Sequence, residues 1–120
     1  MSNPRGDPTL DDLLLLDGQV LVVDPTGGHW VKFVVRQVPA TGKKPHGLDY
    51  SLTLHAANGD RLVGFDNAHP LKGTGRGAKP NDHRHWLKIV KPYDYQTAAD
   101  LLADFWAAVD RMLKKRGVLP

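Results

Sequence analysis

Tyr50, Leu52 and Leu54 alternate with Ser51, Thr53 and His55, and this run ends in Ala57-Asn58-Gly59-Asp60 before a second apolar run from Arg61 to Asn67. A period of two sends successive side chains to opposite faces of a strand. Asn-Gly readily takes the positive φ angles of tight hairpins. Together these features commit the middle of the chain to an antiparallel hairpin with one core face and one of different character.

The flanking segments extend that sheet. Gln19 to Asp24 is rich in β-branched residues, Pro25-Thr26-Gly27-Gly28 supplies turn chemistry, and His29 to Val38 returns as a second strand. Pro39 to Gly47 interrupts the sheet as an exposed connection. His83 to Lys91 reads as the last strand, ended by Pro92, which makes about five strands. Before the sheet, residues 1–8 contain Pro4, Gly6 and Pro8 and are expected to be disordered, and Thr9 or Asp11 is placed to cap a helical turn through Leu13 to Leu16. After the sheet the period changes. Leu101, Leu102, Phe105, Val109, Met112 and Leu113 recur at helical spacing, with Thr97 as N-cap, Asp100 in the first turn, Lys114, Lys115 and Arg116 in the last, and Gly117 as the stop. The expected fold is α+β: an antiparallel sheet of about five strands with one long amphipathic C-terminal helix on one face, forming a single domain over residues 9–117.

A chain of 120 residues is large enough to bury such a core without crosslinks. It contains no cysteine, which excludes disulfides, thiolate metal sites and thiol nucleophiles. No signal-peptide pattern is seen, and no segment approaches the roughly 18 apolar residues of a membrane span, so a cytoplasmic, membrane-free protein is expected. The formal charge is only +3, but its distribution is uneven. Asp7, Asp11, Asp12, Asp17 and Asp24 face Arg5 alone, whereas Lys72, Arg76, Lys79, Arg84, Lys88 and Lys91 face only Asp82.

The densest polar grouping is Asp66-Asn67-Ala68-His69 followed, after a Gly-rich connection, by Asp82-His83-Arg84-His85. The connection, Ala68 to Asp82, holds Gly73, Gly75, Gly77 and Pro80 and is long for a compact domain. If it joins neighbouring strands, Asp66, Asn67, His69, His83, Arg84 and His85 converge on one rim. On a regular strand His83 and His85 share a face and Arg84 takes the other. Histidine can serve as acid or base toward a ribose 2′-hydroxyl and its leaving group, and arginine can neutralise charge developing on phosphorus. The same histidines with Asp66 or Asp82 also form a possible metal set, although no HExxH-like spacing is present. Lys72, Arg76, Lys79 and Lys88 are candidates for phosphate contacts, Asn67 for an RNA contact at the rim, and Tyr50 and Tyr93 for stacking on bases. Gly73-Thr74-Gly75-Arg76-Gly77 lacks the Gly-Lys-Ser/Thr ending of a nucleotide-phosphate loop. Asp104, on the helix, is either solvated or orients a site residue.

Gly47-Leu48-Asp49-Tyr50-Ser51-Leu52, Gly64-Phe65-Asp66-Asn67-Ala68-His69, Asp82-His83-Arg84-His85 and Leu101-Leu102-Ala103-Asp104-Phe105-Trp106, in this order, resemble the TumE-type toxins of prokaryotic toxin–antitoxin systems. The resemblance runs over about residues 17–113. It implies a growth-inhibiting role and a cognate antitoxin, often a helix-turn-helix DNA-binding protein. The leading expectation is therefore a type II toxin acting on RNA as a metal-independent endoribonuclease without a cofactor. In that reading His83 or His85 is base or acid, Arg84 stabilises the transition state, Asp66 orients a histidine, and His69 belongs to the same site. One rival is a non-catalytic module that complexes a helix-turn-helix partner; another is a metal-dependent nuclease. RNA and the antitoxin are the expected partners, with a homodimer as a further expectation.

Overall fold

A computed structural model describes residues 7–41, 47–67 and 82–119. After a short helix α1 (Leu10–Leu14) come strands β1 (Val20–Asp24), β2 (His29–Gln37), β3 (Leu48–His55), β4 (Arg61–Asp66), β5 (His83–Trp86) and β6 (Ile89–Pro92), then helix α2 (Ala98–Lys115). The strands form one antiparallel sheet in chain order, β1-β2-β3-β4-β5-β6.

The alternation seen in the sequence sets the two faces. Val31, Phe33 and Val35 of β2, Leu48, Tyr50, Leu52 and Leu54 of β3, and Val63 and Phe65 of β4 are buried on the helix side. Against them α2 places Leu101, Phe105, Ala108, Val109, Met112 and Leu113. Phe105 meets Phe33 and Phe65 edge-on, with ring centroids 5.7 and 6.2 Å apart. Burying each such large side chain contributes roughly 1.5–3 kcal/mol, so this seam dominates the attachment of the helix.

The start of α2 is tied down from a distance in sequence. Thr97 Oγ1 accepts from the Asp100 N–H at 3.0 Å, as its N-cap position predicts. The preceding donors are taken by the N-terminal segment: Ala98 N–H donates to the Asp7 carboxylate and Ala99 N–H to Thr9 Oγ1. Asp7 thus belongs to the folded unit, although the sequence reading placed it in the segment 1–8; residues 1–6 lie outside the described residues.

The sheet has six strands, one more than expected. His83 to Lys91 is not one strand but a hairpin, β5 and β6, reversing at Leu87-Lys88. No glycine, asparagine or proline marks this turn. Leu87 itself adopts φ 55°, the left-handed region that costs a branched side chain roughly 1–2 kcal/mol. At the other hairpin Gly59 takes the positive φ (95°), while Asn58 accepts from the Asp60 N–H through its side chain. Opposite this turn the β3–β4 register slips, with Leu54 facing Val63 but His55 facing Arg61, so Leu62 is an extra residue. None of the described helices is long and apolar enough to cross a membrane.

Candidate functional site

The face of the sheet away from α2 carries the polar group. Asp66 pairs with His83 across β4–β5, and Gly64 pairs with His85. Side chains of Asp66, His83 and His85 therefore project together on that face. The expected convergence of Asp66 with the two histidines is present in the structure.

Their contacts set the chemistry of each ring. His85 Nε2 lies 2.8 Å from Asp66 Oδ2, and His85 Nδ1 lies 3.2 Å from Arg61 Nη2. A guanidinium only donates, so Nδ1 accepts and the proton of His85 sits on Nε2, donated to Asp66. Burial and the neighbouring Arg61 charge lower the pKa of His85, against the pull of Asp66. His83 differs. Its Nδ1 lies 3.5 Å from Asp66 Oδ1, and its side chain is 6% exposed. Among the described residues, His83 Nε2 has no hydrogen-bond partner although it is buried. Buried polar atoms are nearly always paired, so such an atom calls for an explanation. If the ring proton is on Nδ1, toward Asp66, Nε2 carries the lone pair, the arrangement of a carboxylate-oriented base.

Arg61 was not among the expected site residues; it was read only as the first residue of the second strand of the hairpin. The slipped register brings it onto the histidine face, and Gly64 leaves the room for it. A Cβ on Gly64 would lie 3.3 Å from Arg61 Cδ and 3.4 Å from His85 Cδ2. A glycine in the middle of a strand, usually unfavourable, was the available signal.

Arg84 is on the other face. Its guanidinium lies 5.4 Å from the centroid of Phe65, and it lines a cleft of about 500 Å³ with Trp86, Ile89, Lys91, Pro92 and Arg111. Arg84 is not brought beside the histidines, because strand alternation points it toward α2. The guanidinium beside His85 is that of Arg61.

Two residues expected to touch RNA, Tyr50 and Asn67, are buried and hydrogen-bonded within the fold. Tyr50 is 1% exposed and donates its hydroxyl to Asp82 Oδ2 at 2.7 Å. Burial and that carboxylate push its pKa far up. Asn67, also 1% exposed, accepts from the Tyr50 N–H at 3.0 Å and donates to the Leu48 carbonyl at 2.7 Å. Its amide thus continues the β3–β4 ladder one residue beyond Asp66. Tyr50 and Asn67 hold the ends of the strands that carry Asp66 and His83. Tyr93 is packed as well: its ring meets Phe65 edge-on at 5.0 Å and its hydroxyl donates to Asp104 at 2.6 Å. Asp104 therefore orients a tyrosine, neither a histidine nor an arginine of the site. Lys88 is exposed in the β5–β6 turn, and His69, Lys72, Arg76 and Lys79 lie outside the described residues.

A second Asp–His–Arg chain joins the β1–β2 turn to the end of α2. Asp24 Oδ2 lies 2.9 Å from His29 Nδ1, and Arg116 Nε donates to His29 Nε2 at 3.0 Å. The His29 contact holds the Asp24 carboxyl below its ordinary pKa. Both ring nitrogens are used, fastening the end of α2 to the β1–β2 turn. His55 is likewise satisfied, between the Gly59 carbonyl and Thr53 Oγ1, and stacks on Trp30. His83, with one nitrogen to spare, stands apart from all three of the other described histidines.

Comparison with curated proteins and with solved structures found no match. The family model of toxin TumE matches residues 15–113, which span β1 to β6, the Asp66–His83–His85 group and nearly all of α2. The chain belongs to the TumE toxin family.

Proposed function

We propose that the protein is a metal-independent endoribonuclease whose base is His83. Membership of the TumE family makes the chain a toxin of a toxin–antitoxin system with a cognate antitoxin; the chemistry is our reading. The observation that carries it is that Nε2 of His83, a buried ring beside Asp66, has no hydrogen-bond partner among the described residues.

In this mechanism Nε2 takes the proton of a ribose 2′-hydroxyl, and the 2′ oxygen attacks phosphorus. The bond from phosphorus to the 5′ oxygen breaks, and that oxygen leaves with a proton from water. The products are a 2′,3′-cyclic phosphate and a 5′-hydroxyl. Asp66 holds the Nδ1–H tautomer and stabilises the imidazolium as it forms. Arg61, exposed on the same face, neutralises the phosphorane-like transition state. His85 positions both, since it joins the Asp66 carboxylate to the Arg61 guanidinium. Because His83 is 5% exposed, productive binding requires the chain around it to open toward RNA.

The test is incubation of total cellular RNA with purified protein in EDTA. Cleavage is expected from the wild type and is expected to fall by about 10²–10⁴-fold in His83→Ala, the range for loss of a general base. A well-folded wild type that leaves RNA intact overturns the proposal.

A second reading, a non-catalytic module that complexes a helix-turn-helix antitoxin, is favoured by a different surface. Leu87 in the β5–β6 turn and Ile89 and Val90 of the edge strand β6 are exposed at 45%, 55% and 41%. An exposed apolar edge strand is a template for pairing with another chain. That reading predicts a tight antitoxin complex, no RNA cleavage, and toxicity that survives His83→Ala.

A further inference from the structure

Asp66, His83 and His85 each offer one ligand atom, and the three atoms all lie within 4.8 Å of one another. The rings are 6.3 Å apart and inclined at 74°, with the Asp66 carboxylate between them, 2.8 Å from His85 Nε2 and 3.5 Å from His83 Nδ1. Tetrahedral zinc with bonds of about 2.1 Å needs ligand atoms about 3.4 Å apart. His85 Nε2 lies inside that spacing from Asp66 Oδ2, His83 Nδ1 lies close to it from the other oxygen, Oδ1, and the widest separation allowed needs to close by at most about 1.4 Å. Two imidazoles and a carboxylate suit zinc or its neighbours in the first transition row better than magnesium or calcium. Three protein ligands leave a fourth position open.

We infer that these three side chains bind one divalent zinc-like ion, and that binding it switches the site off. The metal site stands on the geometry of the three side chains; the switch rests on the proposed nuclease. The switch follows from proton positions. A metal on His83 Nδ1 needs the lone pair of that nitrogen, so the proton moves to Nε2, and Nε2 ceases to be a base. The base-competent tautomer and the metal-binding tautomer exclude one another. At His85 the metal takes Nε2, which sends the ring proton to Nδ1, where it meets the N–H of Arg61. Two donors cannot share one hydrogen bond, and a guanidinium repels a divalent ion, so Arg61 has to swing away. Arg61 is exposed and free to do so. It therefore acts as a guard that sets the affinity for metal, and removing it opens the site.

The test is titration of the EDTA-stripped, dialysed protein with zinc chloride by calorimetry, with cobalt(II) absorption as a second readout. Wild type is expected to bind one ion per chain. Asp66→Asn and His85→Ala, checked for folding by circular dichroism, are expected to weaken binding by at least about a hundredfold. Arg61→Ala is expected to tighten it by about tenfold or more, the equilibrium equivalent of losing an opposing hydrogen bond to a charged group. Added zinc is expected to suppress RNA cleavage. Absence of saturable binding, affinity unchanged in Asp66→Asn and His85→Ala, or an Arg61→Ala protein that binds no more tightly overturns the inference. Zinc binding by a protein that cuts no RNA in EDTA would leave the metal site standing and remove the nuclease. Cleavage in EDTA without zinc binding would do the reverse.

Discussion

Asn67→Ala separates a structural role from RNA contact more sharply than any other single change. Asn67 accepts from the Tyr50 N–H and donates to the Leu48 carbonyl, and it is 1% exposed. Truncation leaves a buried donor and a buried acceptor of β3 without these partners. Each orphaned group costs about 1–3 kcal/mol, and partial relaxation puts the pair at about 3 kcal/mol. That is a large part of the stability of a small domain, typically about 5–15 kcal/mol. With a urea m-value of about 1.5 kcal/mol/M, the unfolding midpoint falls by about 2 M. The assay is equilibrium urea unfolding followed by far-UV circular dichroism and Trp fluorescence. A midpoint shift below about 0.5 M with an unchanged slope would refute the reasoning. If cleavage were lost as well in that stable variant, Asn67 would be an RNA contact after all.

Three further predictions address the site and its frame. Gly64→Ala presses a methyl group against Arg61 Cδ and His85 Cδ2; stability is expected to change by less than about 1 kcal/mol, because Arg61 is exposed and adjusts, while RNA cleavage rates fall at least about tenfold. Leu87→Gly relieves the left-handed φ of the β5–β6 turn and is expected to raise the urea midpoint, the gain of about 1–2 kcal/mol being partly offset by the greater freedom of glycine in the unfolded chain. The pKa of His85 is lower folded than unfolded, so below the ordinary histidine value of about 6.5 the unfolded chain binds more protons. The contribution of His85 is therefore complete above that value and is lost as pH falls toward the folded-state pKa. Wild type should lose more stability than His85→Gln between pH 7.5 and 5.5, as measured by urea midpoints at each pH.

Much of the scaffold is legible in the residues. Alternation over Tyr50–His55 gave β3 two different faces, one of them core, and the 3.6 spacing and Thr97 gave α2 with its cap. The β5–β6 turn was not legible, because Leu87-Lys88 has no turn residue and relies on a strained leucine. The clamps of Asp7 and Thr9 on α2 join residues 91 and 90 positions apart, a separation that no local pattern reports. At the site, Asp66, His83 and His85 could be read from strand parity and adjacency. Arg61 could not, since a one-residue slip in register decides its face. Tyr50 and Asn67 looked like polar rim residues because sequence does not reveal which polar groups satisfy backbone at strand ends.

The central claim is that His83 is the base of a metal-free cleavage. Its most direct test is the chemistry of the ends produced from a labelled transcript in EDTA. The account predicts 2′,3′-cyclic phosphate and 5′-hydroxyl ends from wild type, no cutting at a site carrying a 2′-deoxy substitution, and no such products from His83→Ala. Products with 3′-hydroxyl and 5′-phosphate ends that appear only with added metal, or intact RNA beside a folded wild-type protein, would contradict it.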